Sequence, residues 1–357
     1  MLKKVVNKAL LSAALISSTA LMSSTALAES KPVLLKLPVA FPTTLPGLGS
    51  TAKWLSDEVT DLSDGTIKIK VYEPKKLVAP FEILDAVSSG KVNAGFSIAG
   101  YWAGKMPAAP LFGAVPFGPE ADEFISWFWH GNGMKLYQEM YDKNGYNVHV
   151  ELCGINPPET SGWFAKEINS VDDLKGLKMR FFGLGGEVMQ KLGVVTSLLP
   201  GGEIYAALEK GAIDATEFSM PAIDKRLGFH KLVKYNYFPG WHQQATTQEL
   251  LINKNTWNDM SKHQQSVIKN LCKSSVANAI AYTESLQGAA IRENVEKNGV
   301  IIKKWSPEML STFEKTWMQV VDEKSAKSAE FKAVWEDLKT FRENYDFWQA
   351  NAFLPRG

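Results

Sequence analysis

An arginine beside a glycine-rich segment is the pattern in this 357-residue chain best suited to bind a small anion. Arg180 ends a predicted strand, and the segment Gly183–Gly186 follows after two phenylalanines. A guanidinium at a strand end can hold a carboxylate in a bidentate, charge-assisted pair that a lysine cannot reproduce. We therefore predict that Arg180 binds a carboxylate ligand. The alternative is a structural salt bridge between Arg180 and a neighbouring acidic side chain.

Sequence motifs of familiar catalytic and cofactor sites are absent. The sequence contains no G-x-G-x-x-G at a strand–helix turn, no G-x-x-x-x-G-K-[ST], no G-x-S-x-G and no H-E-x-x-H. Its five histidines show no metal-ligand spacing. The glycines after Arg180 resemble a phosphate-cradling loop, but any loop whose backbone approaches a small ligand needs them equally. The sequence therefore gives no argument for an enzyme.

The composition excludes several classes of protein. Lysine and arginine number 39 against 38 acidic residues, so the chain lacks the strongly basic character of nucleic-acid-binding domains. Aromatic residues make up 11% of the chain, which excludes a disordered, low-complexity protein. The length predicts two or three domains.

The N-terminus has the features of an export signal. A lysine-rich start precedes the apolar stretch Ala9–Ile16, and Ala26-Leu27-Ala28 has the small-residue pattern of a cleavage site. The apolar stretch is about half the roughly 20 residues that span a bilayer. We predict that residues 1–28 are a cleaved signal peptide and that the mature protein is periplasmic.

The two cysteines, Cys153 and Cys272, are too few for a disulfide scaffold. In an oxidising compartment they could form one disulfide, or they could be two buried thiols. Sequence separation does not decide whether their backbones approach within bonding distance, so both alternatives stay open.

Periodicity predicts two lobes in which strands and helices alternate, followed by a helical region. In the first lobe the β-α-β-α-β order predicts a parallel sheet with helices on both faces. From Trp257 onward the pattern is almost wholly helical. The predicted elements of the two lobes are strands at 34–40, 66–72 and 92–98 with helices at 48–62 and 80–87, then strands at 196–199 and 213–218 with helices at 187–192 and 203–210.

Two segments of the second lobe carry a resemblance to a known family. The first contains Ser161–Phe164 and Asp173–Arg180, and the second contains Glu209–Phe218 and Tyr237–Trp241. Together they resemble the substrate-binding proteins of tripartite ATP-independent periplasmic (TRAP) transporters, and the subgroup that binds 2-oxo or 2-hydroxy monocarboxylates through a metal ion. The resemblance covers essentially the whole mature chain.

The resemblance implies an α/β, two-lobed periplasmic-binding-protein-like fold with a long helical C-terminal region. We expect residues 32–152 and about 247–300 to form the first lobe and residues 153–246 the second. Residues 301–357 would be C-terminal helices that brace the lobes or dimerise.

The implied function is a solute receptor that passes a small organic acid to the permease subunits of a membrane transporter, with no nucleic-acid partner. Two other classes stay open. One is a binding protein of the ABC type or of a sensory kinase. The other is a secreted enzyme that acts on a carboxylated substrate.

The resemblance also implies a metal site, for Ca²⁺ or Na⁺, built on Glu159, Glu217 and the carbonyl of Phe218. Gln243 is our choice for a further ligand, with Gln244 and Glu249 as rivals. A glutamine is usual at the position of Glu159, and the extra negative charge here would favour Ca²⁺. The alternative is a pair of hydrogen-bonded core carboxylates, but two acids in one cleft are costly unless something neutralises one of them.

Aromatic residues are expected to shape the ligand pocket. Tyr101 follows the third strand, and Phe182 follows Arg180. Plain core packing is the alternative role for each of them.

The last predicted helix, from about Pro307 to Trp348, carries a stripe of large aromatic residues that includes Trp317, Trp335 and Phe341. It could fold back on its own lobes as a brace or be exchanged in a homodimer. We favour the dimer, because the charged stretch Asp322–Lys327 could mark a bend where the chain leaves its own body.

Overall fold

A computed structural model describes residues 31–352 and residue 354. The predicted signal peptide lies outside these residues. In the described part, no helix combines the length and apolar character that crossing a membrane requires. The strands are β1 (Val33–Pro38), β2 (Ile67–Tyr72), β3 (Ala94–Ser97), β4 (Val148–Asn156), β5 (Gly162–Phe164), β6 (Lys178–Arg180), β7 (Val195–Ser197), β8 (Ala215–Thr216), β9 (Tyr235–Phe238), β10 (Thr246–Asn253) and β11 (Ile301–Lys304).

The helices surround these strands and fill most of the C-terminal third. Short 3₁₀ turns also occur, and the one at Ala99–Trp102 lies at the candidate site. The α-helices are α1 (Gly49–Leu62), α2 (Ile83–Ser88), α3 (Ala109–Gly113), α4 (Ala121–His130), α5 (Gly133–Lys143), α6 (Gly183–Lys191), α7 (Gly201–Glu209), α8 (Pro221–Leu227), α9 (Lys254–Asp259), α10 (Lys262–Glu296), α11 (Pro307–Lys327) and α12 (Ala329–Ala352).

The first lobe contains a two-stranded parallel sheet and a three-stranded antiparallel sheet, so the prediction of a parallel sheet is only partly right. Strands β1 and β2 are parallel, but β10 pairs antiparallel with both β3 and β4. A bridge between Val39 and Phe96 links the two groups of strands. The reason is topological: β10 comes about 150 residues after β3, and local alternation of strands and helices carries no information on such a distant partner.

The second lobe contains a six-stranded sheet in the order β11-β9-β5-β8-β6-β7. The segment Ile301–Lys304, which we expected to open the C-terminal helical region, is a strand that pairs parallel with β9. In the first lobe, β4 pairs with β10 as far as Asn156, so the predicted boundary after residue 152 falls inside that strand.

Strands β4 and β10 lead from one lobe to the other, and the long helix α10 packs against both β4 and α8. A disulfide between Cys153 and Cys272 joins β4 to α10. Of the two alternatives for the cysteines, the structure therefore contains the bonded one. A capping box between Ser261 and Gln264 starts α10, since each side chain satisfies a free backbone N–H of the first turn.

The C-terminal region is two helices rather than one, with a break at Ser328 directly after the charged stretch Asp322–Lys327. Helix α11 packs on α6 of the second lobe, whereas α12 packs on α3, α4 and α5 of the first. Trp127 donates a hydrogen bond to Asp337 of α12 at 2.8 Å. In this chain α12 therefore folds back on its own body, which is the arrangement of a brace.

Candidate functional site

The side chains predicted to bind ligand meet between the two lobes. Arg180 ends β6 and Glu217 directly follows β8, so the parallel pairing of these strands brings them side by side. Glu159 lies in the connection from β4 to β5, and Tyr101 lies in the 3₁₀ turn after β3. All four are buried, with Arg180 only 1% and Glu217 0% exposed.

Arg180 forms the salt bridge that the sequence left as an alternative. Its Nη1 donates to Oε1 of Glu217 at 2.6 Å and to the carbonyl of Glu217 at 2.8 Å. Its Nε donates to the carbonyl of Leu199 at 3.2 Å, and the guanidinium lies over the Phe218 ring, 5.3 Å from its centroid. Arg180 is thus held rigidly at the cleft, and part of its hydrogen-bonding capacity is already used by protein atoms.

The Glu217 carboxyl has one satisfied and one unsatisfied oxygen. Oε1 accepts from Arg180 and from the backbone N–H of Phe182. Oε2 is buried without a hydrogen-bond partner, and Nε2 of His242 lies 3.6 Å from it. Burial would raise the pKa of Glu217, but the Arg180 guanidinium and His242 hold this pKa below its usual value.

Glu159 has the opposite electrostatic situation. Its Oε1 accepts from the hydroxyls of Thr246 at 2.9 Å and Ser219 at 3.3 Å, while its Oε2 is buried without a partner. Burial raises the pKa of Glu159 well above its usual range, and the nearby charge of Glu217 raises it further. Without a cation, the surroundings of Glu159 therefore favour its neutral form over its ionised form.

Glu159, Glu217 and His242 form a cluster in which one potential ligand atom from each lies within 4.8 Å of the others. Both ring nitrogens of His242 are buried without partners. We did not predict His242, because the three residues are far apart in the sequence and match no short ligand motif. Its position directly after Trp241, in a segment already singled out, was the one available signal.

Of the three candidates for the further ligand, Gln243 is connected to Glu159 through the Thr246 hydroxyl and keeps a side-chain oxygen free. Its Oε1 is buried without a partner, and its Nε2 donates to Thr246, which in turn donates to Glu159. Gln244 donates to the carbonyl of Gly240. Glu249 points into the first lobe, where other side chains occupy both of its oxygens, so it is not a ligand at this site.

Rings from both lobes enclose the site. Tyr101 and Phe182 lie 5.7 Å apart between ring centroids, and Phe41 and Phe218 lie 6.3 Å apart. The Tyr101 hydroxyl is buried without a partner. Burial raises the pKa of Tyr101, although the positive charge of Arg180 opposes the shift. Phe41 was not among the predicted residues.

The glycine-rich segment after Arg180 is the first turn of α6 rather than a loop. A Cβ atom on Gly185 would lie 2.7 Å from Cε1 of Phe181 and 2.8 Å from Cβ of His242. The glycine at this position therefore allows α6 to pack against His242, and the segment does not form a phosphate cradle.

Comparison with known proteins places this chain in a family. Residues 44–328 match the DctP family, described as bacterial extracellular solute-binding protein, family 7. The chain is 35% identical to the monocarboxylate 2-oxoacid-binding periplasmic protein of Nostoc sp. strain PCC 7120, over 97% of this chain and 95% of that protein.

Two crystal structures of TRAP solute-binding proteins are also similar. A mixed-occupancy dimer from Bordetella bronchiseptica RB50, with copurified calcium and picolinate, is 31% identical and has a TM-score of 0.87, covering 90% of this chain and 95% of that one. The protein from Pseudoalteromonas atlantica T6c, with bound sodium and pyruvate, is 31% identical with a TM-score of 0.86, covering 90% and 97%. The resemblance seen in the sequence is thereby confirmed: the chain belongs to the DctP family of TRAP solute-binding proteins.

Proposed function

We propose that this protein is a periplasmic receptor that binds a small 2-oxo monocarboxylate, such as pyruvate, together with a metal ion. The observation that carries the proposal is a group of three buried oxygens without partners: Oε2 of Glu159, Oε2 of Glu217 and Oε1 of Gln243. Unpaired buried oxygens are costly, and hard cations take such oxygens as ligands. The pyruvate and picolinate complexes of the two crystallised relatives support a small carboxylate as the ligand.

The charges of the site favour a divalent ion. Two ionised glutamates, one arginine and a ligand carboxylate leave an excess of two negative charges, which Ca²⁺ cancels and Na⁺ does not. A bound cation supplies the positive charge that keeps Glu159 ionised and offers coordination to the oxygens of the ligand. Glu159, Glu217, Gln243 and the carbonyl of Phe218 are the residues that would hold it.

The remaining site residues act on the organic acid. Arg180 donates charge-assisted hydrogen bonds to its carboxylate, oriented by Glu217 and Leu199. The Tyr101 hydroxyl is the neighbouring neutral donor. Tyr101 and Phe182 cover the ligand and exclude water, which strengthens the charged contacts.

Delivery follows from the family: the receptor passes its ligand to the permease subunits of a TRAP transporter. Export through a cleaved signal peptide of residues 1–28 fits that location. The proposal includes no catalytic step, because the side chains at the site act as ligands and hydrogen-bond donors. The predicted division, with residues 153–246 in the second lobe and residues 32–152 and about 247–300 in the first, stays part of the proposal with two changes: all of β4 belongs to the first lobe, and β11 belongs to the second.

The decisive experiment identifies what the purified protein carries. Mass spectrometry of the acid released on denaturation, with metal analysis of the same sample, should find a small 2-oxo acid and calcium in comparable amounts. After extensive chelation, titration calorimetry should show that pyruvate binding is lost, that Ca²⁺ restores it, and that Na⁺ restores it less well. Normal pyruvate binding by metal-free protein would contradict the metal assignment.

The exposed end of α12 supports a homodimer in which α12 stays packed on its own chain and is not exchanged. Phe347 is 78% and Trp348 60% exposed, and neighbouring large aromatic residues on a surface are typical of an interaction site. The relative from Bordetella bronchiseptica is a dimer. Sedimentation should show twice the monomer mass for the wild type, and the Phe347→Ser/Trp348→Ser variant should sediment as a monomer. A monomeric wild type would contradict the dimer.

A further inference from the structure

Gly100 of the first lobe lies directly against the Phe182 ring of the second. A Cβ atom built on Gly100 would overlap Cζ of Phe182 and lie 2.7 Å from Cε2 and 3.0 Å from Cε1. The three nearest atoms all belong to this ring. The two lobes can therefore approach this closely only because residue 100 has no side chain.

Phe182 has little freedom to move away from this contact. Its backbone N–H donates to Glu217, its ring is 3% exposed, and the Tyr101 ring lies against it. Because it caps the N-terminus of α6, a shift of Phe182 would also disturb the end of β6 that carries Arg180. The Phe182 side chain is thus held in one position on the side of the second lobe that faces the first.

The turn that carries Gly100 is equally fixed. Nε1 of Trp102 donates to Glu249 at 2.7 Å, and the hydroxyls of Tyr137 and Tyr141 donate to the other oxygen of the same carboxylate. Glu249 lies on β10, one of the strands that lead between the lobes. The hydrogen bond of Trp102 therefore fixes the turn to β10 of the first lobe. The turn cannot move away from an added methyl group without breaking this hydrogen bond.

We propose that Gly100 is the positioning residue that lets the two lobes close over the ligand, by receiving the Phe182 ring. This inference rests on the proposed function to the extent that the closed form is the ligand-bound form. Since Gly100 offers no side chain to ligand or metal, its effect acts through the distance between the lobes. Complementary changes at the two positions should therefore compensate each other.

The first test measures binding of pyruvate, in the presence of Ca²⁺, by titration calorimetry. Gly100→Ala should weaken binding by roughly tenfold or more, because overpacking a rigid contact is costly. Gly104→Ala is the matched control, since a Cβ there meets nothing within 4 Å, and it should bind as the wild type does. In a Phe182→Leu background, adding Gly100→Ala should change the affinity by less than about threefold.

Two results of this test would overturn the proposal. One is wild-type affinity in Gly100→Ala. The other is an equally large effect of Gly100→Ala in both backgrounds, which would show general damage to the turn rather than a contact with Phe182. Circular dichroism of each variant confirms that it is folded.

The second test needs no ligand and separates this inference from the proposed function. Lys75 of the first lobe and Glu203 of the second form a salt bridge of 2.7 Å. The Lys75→Cys/Glu203→Cys variant can therefore be cross-linked by a short bis-maleimide when the lobes are close, and the two native cysteines are in a disulfide. Adding Gly100→Ala should slow cross-linking several-fold, and adding Phe182→Leu as well should restore the rate.

An unchanged cross-linking rate in the Gly100→Ala background would contradict the role of Gly100, whatever the protein binds. If the wild type binds no pyruvate while the cross-linking rates follow the expected pattern, the proposed ligand is wrong and the closure contact stands.

Discussion

Two groups of buried carboxylates in this protein have opposite hydrogen-bonding states. In the first lobe, Glu249 accepts from Trp102, Tyr137 and Tyr141, so both of its oxygens are satisfied. In the cleft, Glu159 and Glu217 each keep one buried oxygen without a partner. All three side chains are buried to at least 97%. Burial of an acid therefore does not distinguish a structural role from a ligand-binding one in this chain.

The surroundings of the carboxylates make the distinction. Neutral donors around Glu249 form a closed network that needs nothing from outside, and such networks specify one packing of a core. The cleft instead contains Arg180, His242 and acceptor oxygens without partners, which a bound cation can satisfy. The following substitutions test this difference.

The largest effect is expected from Glu217→Gln. It removes the charge partner of a buried arginine and one proposed metal ligand, and breaking a buried ion pair costs about 3–5 kcal/mol. Pyruvate binding in Ca²⁺ should fall more than about a hundredfold, as in chelated wild-type protein, and the melting temperature should fall as well. Titration calorimetry and thermal unfolding measure the two effects. Calcium-dependent binding that survives the change would return Glu217 to the structural group.

Arg180→Lys should weaken pyruvate binding by about tenfold to over a hundredfold. A lysine retains the charge but loses the planar array of donors, and a hydrogen bond to a charged group is worth about 1.5–3 kcal/mol. Calorimetric titration with Ca²⁺ held constant provides the affinity. An unchanged affinity would show that Arg180 interacts with Glu217 and does not contact the carboxylate of the ligand.

Glu249→Gln should lower the free energy of unfolding by about 1–3 kcal/mol, because the amide group turns one acceptor into a donor facing other donors. Its calcium content should stay equal to that of the wild type. Chemical denaturation and metal analysis of the same samples provide both values. Loss of calcium in this variant would mean that Glu249 belongs with the cleft acids.

The Glu249→Gln variant should also change how the stability of the protein depends on pH. Burial raises the pKa of Glu249 above its ordinary value of 4.5, although hydrogen bonds from Tyr137, Tyr141 and Trp102 oppose the shift. The resulting stabilisation is fully present below the unfolded pKa and is lost as the pH rises through the raised folded pKa. As the pH rises above 4.5, the stability of Glu249→Gln should therefore depend less on pH than that of the wild type. Parallel stability curves for the two proteins would contradict a raised pKa at Glu249.

The smallest effect is expected from Glu159→Gln, which removes one negative charge but keeps an oxygen ligand. The preference for Ca²⁺ over Na⁺ in supporting pyruvate binding should fall by about tenfold, since ligand charge tunes affinity for the cation. Titrations of metal-free protein in each salt provide the ratio. The assignment of Glu159 as the residue that selects a divalent ion fails if this ratio does not change.

Much of the site could be predicted from the sequence. Arg180 and Glu217 stand at the ends of short strands, and strand ends and family motifs are local features of the chain. The choice of Gln243 over Gln244 and Glu249 stays a prediction, which the unpartnered Oε1 of Gln243 supports. His242 and Phe41 were missed, because their proximity to the site depends on how β9, β10 and the first strands meet in space.

The sequence by itself determined the order of most helices and strands, the family and the central charged residues. Periodicity and caps depend on neighbours within a few positions, so they are readable along the chain. Only the tertiary structure decided that β10 runs antiparallel between β3 and β4, that Cys153 and Cys272 are bonded, that Glu249 is satisfied, and that Gly100 meets Phe182. Each of these pairings joins residues more than 80 positions apart. At such separations the partner is selected by the complementary shapes and charges of two folded surfaces, and local sequence patterns do not predict it.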